Sequence, residues 1–230
     1  MLENLRNKNN STIISYLALR RFIGILGMLL PVICILGGII FSDINIQPSI
    51  SAYYYTNMRD FFVGLLIGIS FFLITYKGYE LIDNVITTFI GITGFGIAAF
   101  PCYYTDSTLP VGIFQLNPDT SNIMHIICAS IFFILLAVNS IFLFTLSKDK
   151  KIKKGSKKAK RNIIYISCGI IILISVITLF IINFTVDYDI IIDYNIVLIF
   201  EAVMLFVFGI SWLVKGDTLF KDETKKQKSI

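Results

Sequence analysis

Apolar positions along this chain are gathered into long runs separated by short polar and charged breaks, with no strict alternation of the kind a half-buried strand would show. Six runs read as helical spans: 22–41, 61–76, 85–101, 123–146, 162–184 and 194–214. Crossing a hydrocarbon core of about 30 Å takes about 20 predominantly apolar residues. The first, fourth, fifth and sixth runs meet that length. The second and third are shorter and interrupted by glycine, and they are expected to recruit Tyr53–Asp60 or Tyr76–Tyr79 as interfacial turns. The pattern predicts an all-α polytopic membrane protein with six transmembrane helices in one bundle. A segment 1–21 precedes the transmembrane domain 22–214, and a tail 215–230 follows it. No loop is long enough for a folded soluble domain.

Composition points the same way. Of 230 residues, 56% are hydrophobic and 15% charged, where a soluble domain carries about 25% charged residues; mean hydropathy is +0.79. The placement of charge then sets the threading. With the N-terminus inside, 19 of the 20 Lys and Arg residues fall on one side, and Arg59 is the exception. Asp43, Asp60, Asp106, Asp119, Asp187, Asp189 and Asp193 fall on the other. The positive-inside rule therefore predicts both termini cytoplasmic. The first apolar run lacks an A-x-A-like site at its end, so a cleavable signal peptide is not expected. Abundant Ile, Lys and Asn suggest an AT-rich bacterial genome and hence the bacterial cytoplasmic membrane.

The lysine-rich loop 148–161 has no aromatic residue, so attraction to anionic headgroups is expected and nucleic-acid binding is not. Cys34, Cys102, Cys128 and Cys168 show no metal-ligand spacing, and no disulfide framework is predicted. Neither a phosphate-cradling glycine loop nor a G-x-S-x-G element is present. No cofactor or metal is expected, although His125, Asp60 and Glu201 are chemically able to form a one-His, two-carboxylate site.

Polar groups within a membrane are costly and therefore candidate sites. Glu201 lies seven residues into the sixth span, His125 near the start of the fourth, and Arg59 and Asp60 at the start of the second. The predicted topology brings all four to the outer third of the bilayer. The expected ligand-binding set is Arg59, Asp60, Ser49, Ser51, Tyr54, His125 and Glu201, with Ser49, Ser51, Tyr53, Tyr54 and Tyr55 at the lip. If the site is catalytic, His125 is the general base and Asp60 or Glu201 orients it.

Each member also has a structural reading. Asn57 and Asp60 have capping-box spacing. Arg59 can snorkel to headgroups. Tyr53–Tyr55, Tyr103, Tyr104 and Trp212 fit interfacial aromatic belts. Gly64 and Gly68 make a GxxxG, and Gly91, Gly94 and Ala98 line the third span, where helices can approach closely.

The stretch "PSISAYYYTNMRDFFVGLLIG", the loop "YKGYELIDN", "GIAAFP" and the closing "WLVKG" resemble an uncharacterised group of bacterial six-span membrane proteins. More distantly the chain resembles the Frag1/DRAM/Sfk1-like family. Ser49-Ile50-Ser51 would match that family's Ile-Ser element, Gly64 its glycine and His125 its histidine, while Arg59-Asp60 stands where the family has Pro-Glu. The resemblance implies a six-span fold and a role in lipid and GPI-anchor handling or in autophagy regulation, without a catalytic mechanism. Three function classes follow: a protein that binds or senses membrane lipid or a small polar ligand, an intramembrane lipid enzyme, and a homo-oligomeric channel or membrane effector.

Overall fold

The computed structural model describes residues 2–42, 44–78, 80–104, 109–146 and 155–218, with the backbone alone for 2–15 and 42. Among them the chain is all-α. Its helices are α1 (Leu2–Ser42), α2 (Arg59–Thr75), α3 (Leu81–Ala99), α4 (Pro118–Val138), α5 (Lys157–Thr185), α6 (Tyr188–Asp193) and α7 (Ile196–Lys215). A 3-10 turn covers Ser51–Tyr55, and a π-helical segment, Asn139–Leu143, continues α4. The predicted charges Asp43 and Asp106, most of the lysine-rich loop and the tail from 219 lie outside the described residues.

Helix starts follow local chemistry. Glu80 and Asp83 form a reciprocal capping box at α3. Asn117 caps α4 and is followed by Pro118 in the first turn, where the missing N–H costs nothing. Ser156 caps α5 through Ala159 N. The box expected at Asn57 and Asp60 does not form: α2 begins after Met58 without a side-chain cap. Tyr53–Tyr55 does not extend α2 either, because the chain folds there into the separate 3-10 turn.

Among the described residues five segments are long and apolar enough, by length and composition, to cross a membrane: 16–41, 81–99, 118–143, 157–185 and 196–215. At 17 residues, α2 is about 25 Å long, somewhat under the hydrocarbon thickness of about 30 Å. The long helices pack as a ring in which α1 touches α2 and α7, α3 touches α2 and α4, and α5 touches α4 and α7. One end of the ring carries the 3-10 turn and is here called the tyrosine end. The other carries Trp212.

Burial separates two kinds of surface. Ile163, Ile170, Ile174, Ile177, Phe180 and Phe184 of α5 are exposed, as expected where the solvent is lipid. Inside lie Ile23, Leu30, Ile69, Leu73, Ile90, Phe132 and Phe208, together with hydroxyls that bond back to their own helix, such as Ser70 to Leu66 O and Thr93 to Phe89 O. Tyr53, Tyr54 and Trp212 are buried as well. Trp212 packs edge-to-face on Tyr76 and Phe144, so these side chains are core and not belt. Tyr103 and Tyr104 do face outward.

Close helix approach occurs where small residues meet. A methyl on Gly24 would stand 2.7 Å from Gly209 O, and one on Gly209 would stand 2.6 Å from Gly24 O, so α1 and α7 touch backbone to backbone. Gly91 meets Ser70 O in the same way. The GxxxG of α2 makes no such contact, since Gly64 faces open space. Gly209→Val should therefore separate α1 from α7, an overpacking worth about 1–3 kcal/mol. It is expected to lower the thermal unfolding midpoint in detergent by several degrees, while Gly64→Val leaves it unchanged.

Candidate functional site

Glu201 lies in the second turn of α7, facing the connection between α1 and α2. Its Oε2 accepts from Ile50 N at 2.6 Å and from Ser51 N at 3.4 Å, and Ser51 Oγ lies 3.3 Å from its Oε1. One helical turn earlier, Leu198 N donates to Pro48 O at 3.0 Å. The 3-10 turn is thus docked on α7 by its own backbone. Ser49 Oγ accepts from Ala52 N at 2.9 Å and closes the start of the turn.

His125 reaches the same serine from α4. Ser121 and His125, four residues apart, share a helix face and read two successive carbonyls of the α3–α4 connection. Ser121 Oγ donates to Pro101 O at 2.8 Å, and His125 Nδ1 lies 2.7 Å from Phe100 O. A carbonyl only accepts, so Nδ1 carries the proton. His125 Nε2 lies 3.0 Å from Ser51 Oγ. The result is a continuous chain: Phe100 carbonyl, His125, Ser51, Glu201, then the N–H groups of Ile50 and Ser51.

Proton counting constrains this chain. Two contacts flank Ser51 Oγ, and each needs one proton. Ser51 supplies one. The other sits on Glu201 Oε1, with His125 neutral, or on His125 Nε2, with Glu201 ionised. Ser51 and His125 are buried, and Glu201 is partly so. Beside Ser51 and Glu201 lies a cavity of about 30 Å³, otherwise walled by apolar side chains including Leu30, Leu66, Phe132 and Leu205. That is room for about two waters.

Arg59 and Asp60 do not join this chain. The Arg59 guanidinium lies over the Tyr54 ring, 4.2 Å from its centroid, and donates to the Tyr54 hydroxyl. Asp60 is exposed in the first turn of α2, where a negative charge suits the helix dipole. Neither has a hydrogen bond or ion pair to His125 or Glu201 among the described residues. The expected single pocket is therefore two sites, because Tyr54 holds Arg59 on the far side of the 3-10 turn. Among the described residues no group of three His, Cys, Asp or Glu side chains is placed to hold a metal.

The second site is a cleft of about 400 Å³ lined by Tyr54, Tyr55, Thr56, Arg59, Gly112 and Gln115, with Pro110 and Val111. That volume suits a small-molecule site. Tyr55 fixes one wall, donating to Cys102 O at 2.7 Å and stacking on Tyr104 at 4.8 Å. The opposite wall is the turn 111–116, closed by a bridge between Val111 and Leu116 and by positive φ at Gly112 and Gln115. Arg59 is the cationic group of the lining, and its guanidinium has donors beyond the one spent on Tyr54.

Ser49, Tyr54, Thr56 and Gln115 thus serve walls and turns. Sequence reasoning placed Ser51 at the lip, where the structure makes it the centre. It also missed the backbone partners Ile50 N and Phe100 O, for which no side-chain signal exists. A further cluster at the Trp212 end escaped it too. There Arg21 Nε donates to Gly216 O at 2.8 Å, Arg161 pairs with Asp217 at 3.8 Å, and Lys215 Nζ lies 4.9 Å from the centre of the Phe144 ring.

Set against protein-family models, curated proteins and solved structures, the chain matches none. The class is defined by the fold itself: an integral, multi-pass helical membrane protein.

Two outcomes test this geometry. Ser51→Ala removes the shared partner of Glu201 Oε1 and His125 Nε2, and leaving buried groups unpaired costs about 1–3 kcal/mol. A drop of several degrees in the unfolding midpoint is expected. Separately, burial pushes the Cys102 thiol up to about 12. The thiolate is the reactive form, so maleimide labelling of Cys102 should be slow at pH 8, rise tenfold per pH unit above it, and become fast on denaturation.

Proposed function

We propose that this is a six-span protein of the bacterial cytoplasmic membrane, with both termini cytoplasmic, that binds an anionic lipid headgroup or small anionic ligand in the cleft at its tyrosine end. In this reading α2 is also a span, bringing the count to six, and its short length is made up by the 3-10 turn above it. The tyrosine end then faces outward, carrying Asp60, Asp119, Asp187, Asp189 and Asp193, and the lysine-rich loop faces the cytoplasm. The observation that carries the reading is Arg59, which the positive-inside rule leaves unexplained and which stands in the lining of the 400 Å³ cleft. A guanidinium stacked on an aromatic ring keeps its in-plane N–H groups for an oxyanion. The likeness of the 48–68 stretch to the Frag1/DRAM/Sfk1-like family points toward lipid in the same way.

An intramembrane lipid enzyme is a second reading, favoured by the 3.0 Å contact between Ser51 Oγ and His125 Nε2, which has the spacing of a nucleophile and its base. The cavity of about 30 Å³ beside Ser51 has room for water and not for an acyl chain. Glu201 also sits on the serine, and a carbonyl orients the histidine. These features favour the binding reading.

Native mass spectrometry with phosphatidylglycerol is the direct test. A charged hydrogen bond is worth about 1.5–3 kcal/mol, so Arg59→Ala should bind at least tenfold more weakly while remaining monodisperse. Wild-type affinity in that variant would overturn the cleft reading. Competition by glycerol phosphate or inorganic phosphate separates a headgroup site from a free-anion site. For threading, Asp187→Cys should be labelled from outside and Gly155→Cys from inside; the reverse pattern inverts the topology.

A further inference from the structure

The mechanism of the cleft makes no use of the buried chain through Ser51, and that chain has a chemistry of its own. We propose that Glu201, Ser51 and His125 form a proton-binding site, in which two protons are shared along one line of hydrogen bonds and fix the 3-10 turn between α7 and α4. The site rests on the geometry of these three residues and not on what occupies the cleft.

The two arrangements interconvert by a balanced shift. In the first, Glu201 Oε1–H donates to Ser51 Oγ, and Ser51 Oγ–H donates to His125 Nε2. The O–H bond of Glu201 breaks as a new one forms on Ser51, and the original serine O–H breaks as N–H forms on His125. The product is a carboxylate beside an imidazolium, with the serine unchanged. Both end states have anchors already in place. The carboxylate accepts from Ile50 N and Ser51 N, and the imidazolium donates from Nδ1 to Phe100 O.

Counts other than two are worse. With one proton fewer, either the 3.0 Å or the 3.3 Å contact sets lone pair against lone pair. With one more, a donor is left without an acceptor. A divalent or alkali cation does not fit the place, because two N–H donors already point at Glu201. The proton is the cation that this donor and acceptor set accommodates.

The neighbours leave the chain to titrate as a unit. From α1 the facing titratable group is Cys34, and from the α3–α4 connection it is Cys102. The 3-10 turn adds Tyr53 and Tyr54, α2 adds Arg59 in the cleft lining and the exposed Asp60, and α4 adds Cys128 against Gly96. Between Arg161 and Asp187, α5 brings no charged side chain. Asp187, Asp189 and Asp193, around α6, are exposed. Inward, Leu66, Phe132 and Leu205 wall the cavity, so the chain stores protons and does not conduct them across the bundle. Because Ser51 and Tyr54 share one turn, the proton count also bears on how firmly the cleft wall is held.

The chain has a single histidine, so ¹⁵N-histidine labelling of protein purified without a histidine tag gives one ring to follow. In the wild type Nδ1 should be protonated throughout, and Nε2 should move from the unprotonated toward the protonated range as falling pH takes the chain from one shared proton to two. In Glu201→Gln the amide donates as the protonated acid does, and Nε2 should stay unprotonated to lower pH. Ser51→Ala should abolish that effect of Glu201→Gln; if it fails to fold, Ser51→Gly, which also lacks the hydroxyl, replaces it. A protonated Nε2 with bare Nδ1 in the wild type overturns the proposal. So does a His125 signal indifferent to Glu201→Gln, or one whose response survives loss of the serine. Arg59→Ala should leave all these signals in place, which separates failure here from failure of the cleft reading.

Discussion

Two backbone N–H groups, those of Ile50 and Ser51, are aimed at the one carboxylate that α7 carries within its apolar length. A carboxylate buried without donors is among the most expensive groups a membrane protein can carry. The backbone of a tight turn meets that demand, and in doing so it determines where the turn lies. Once the turn is set, Ser51 faces His125, His125 faces the Phe100 carbonyl, and the α3–α4 connection is drawn over the same end. The cleft wall of Tyr54 and Tyr55 is the other side of that turn. Much of the tyrosine end therefore depends on one ionisable residue and its unremarkable neighbours in sequence.

The same economy explains why the core mixes apolar and polar side chains. Lipid provides little incentive to bury leucine rather than serine, so contact is driven by close packing and by satisfied polar groups. Gly24 against Gly209 supplies the first, and the bonds around Glu201 supply the second. Exposed isoleucine on α5 costs nothing where hydrocarbon surrounds it.

Spans were legible in the sequence because apolar runs end abruptly at charges and at capping residues such as Glu80, Asn117 and Ser156. Their ends were offset by a few residues, since hydropathy does not register a cap. That Glu201 and His125 share one end was legible too, as it follows from counting crossings. Their meeting through Ser51 was not, because a 3-10 turn has no periodicity that tells which side faces inward. That Arg59 meets Tyr54 and not Glu201 was hidden for a related reason: Tyr54 is local in sequence, while charge reasoning looks first for an opposite charge. Trp212 and Tyr53 read as belt residues from their position near span ends, and only packing distinguishes a ring that faces headgroups from one that faces a neighbouring helix.

The pairing of α1 with α7 carries a consequence for biogenesis. Arg20 and Arg21 donate to the carbonyls of Lys215 and Gly216, 195 residues away in each case, and Gly24 and Gly209 touch one to two turns further along the same two helices. In chain order α1 precedes α7, so its glycine face meets Gly209 and its arginines reach the α7 carbonyls only once α7 has been made. Until then the Glu201 anchor is also missing, so the turn at Ser51–Tyr55 has nothing to dock on. The ring is thus closed by the segment translated after all its other helices. A chain halted before α7 would retain most of its apolar length and yet lack the contact that orders its tyrosine end.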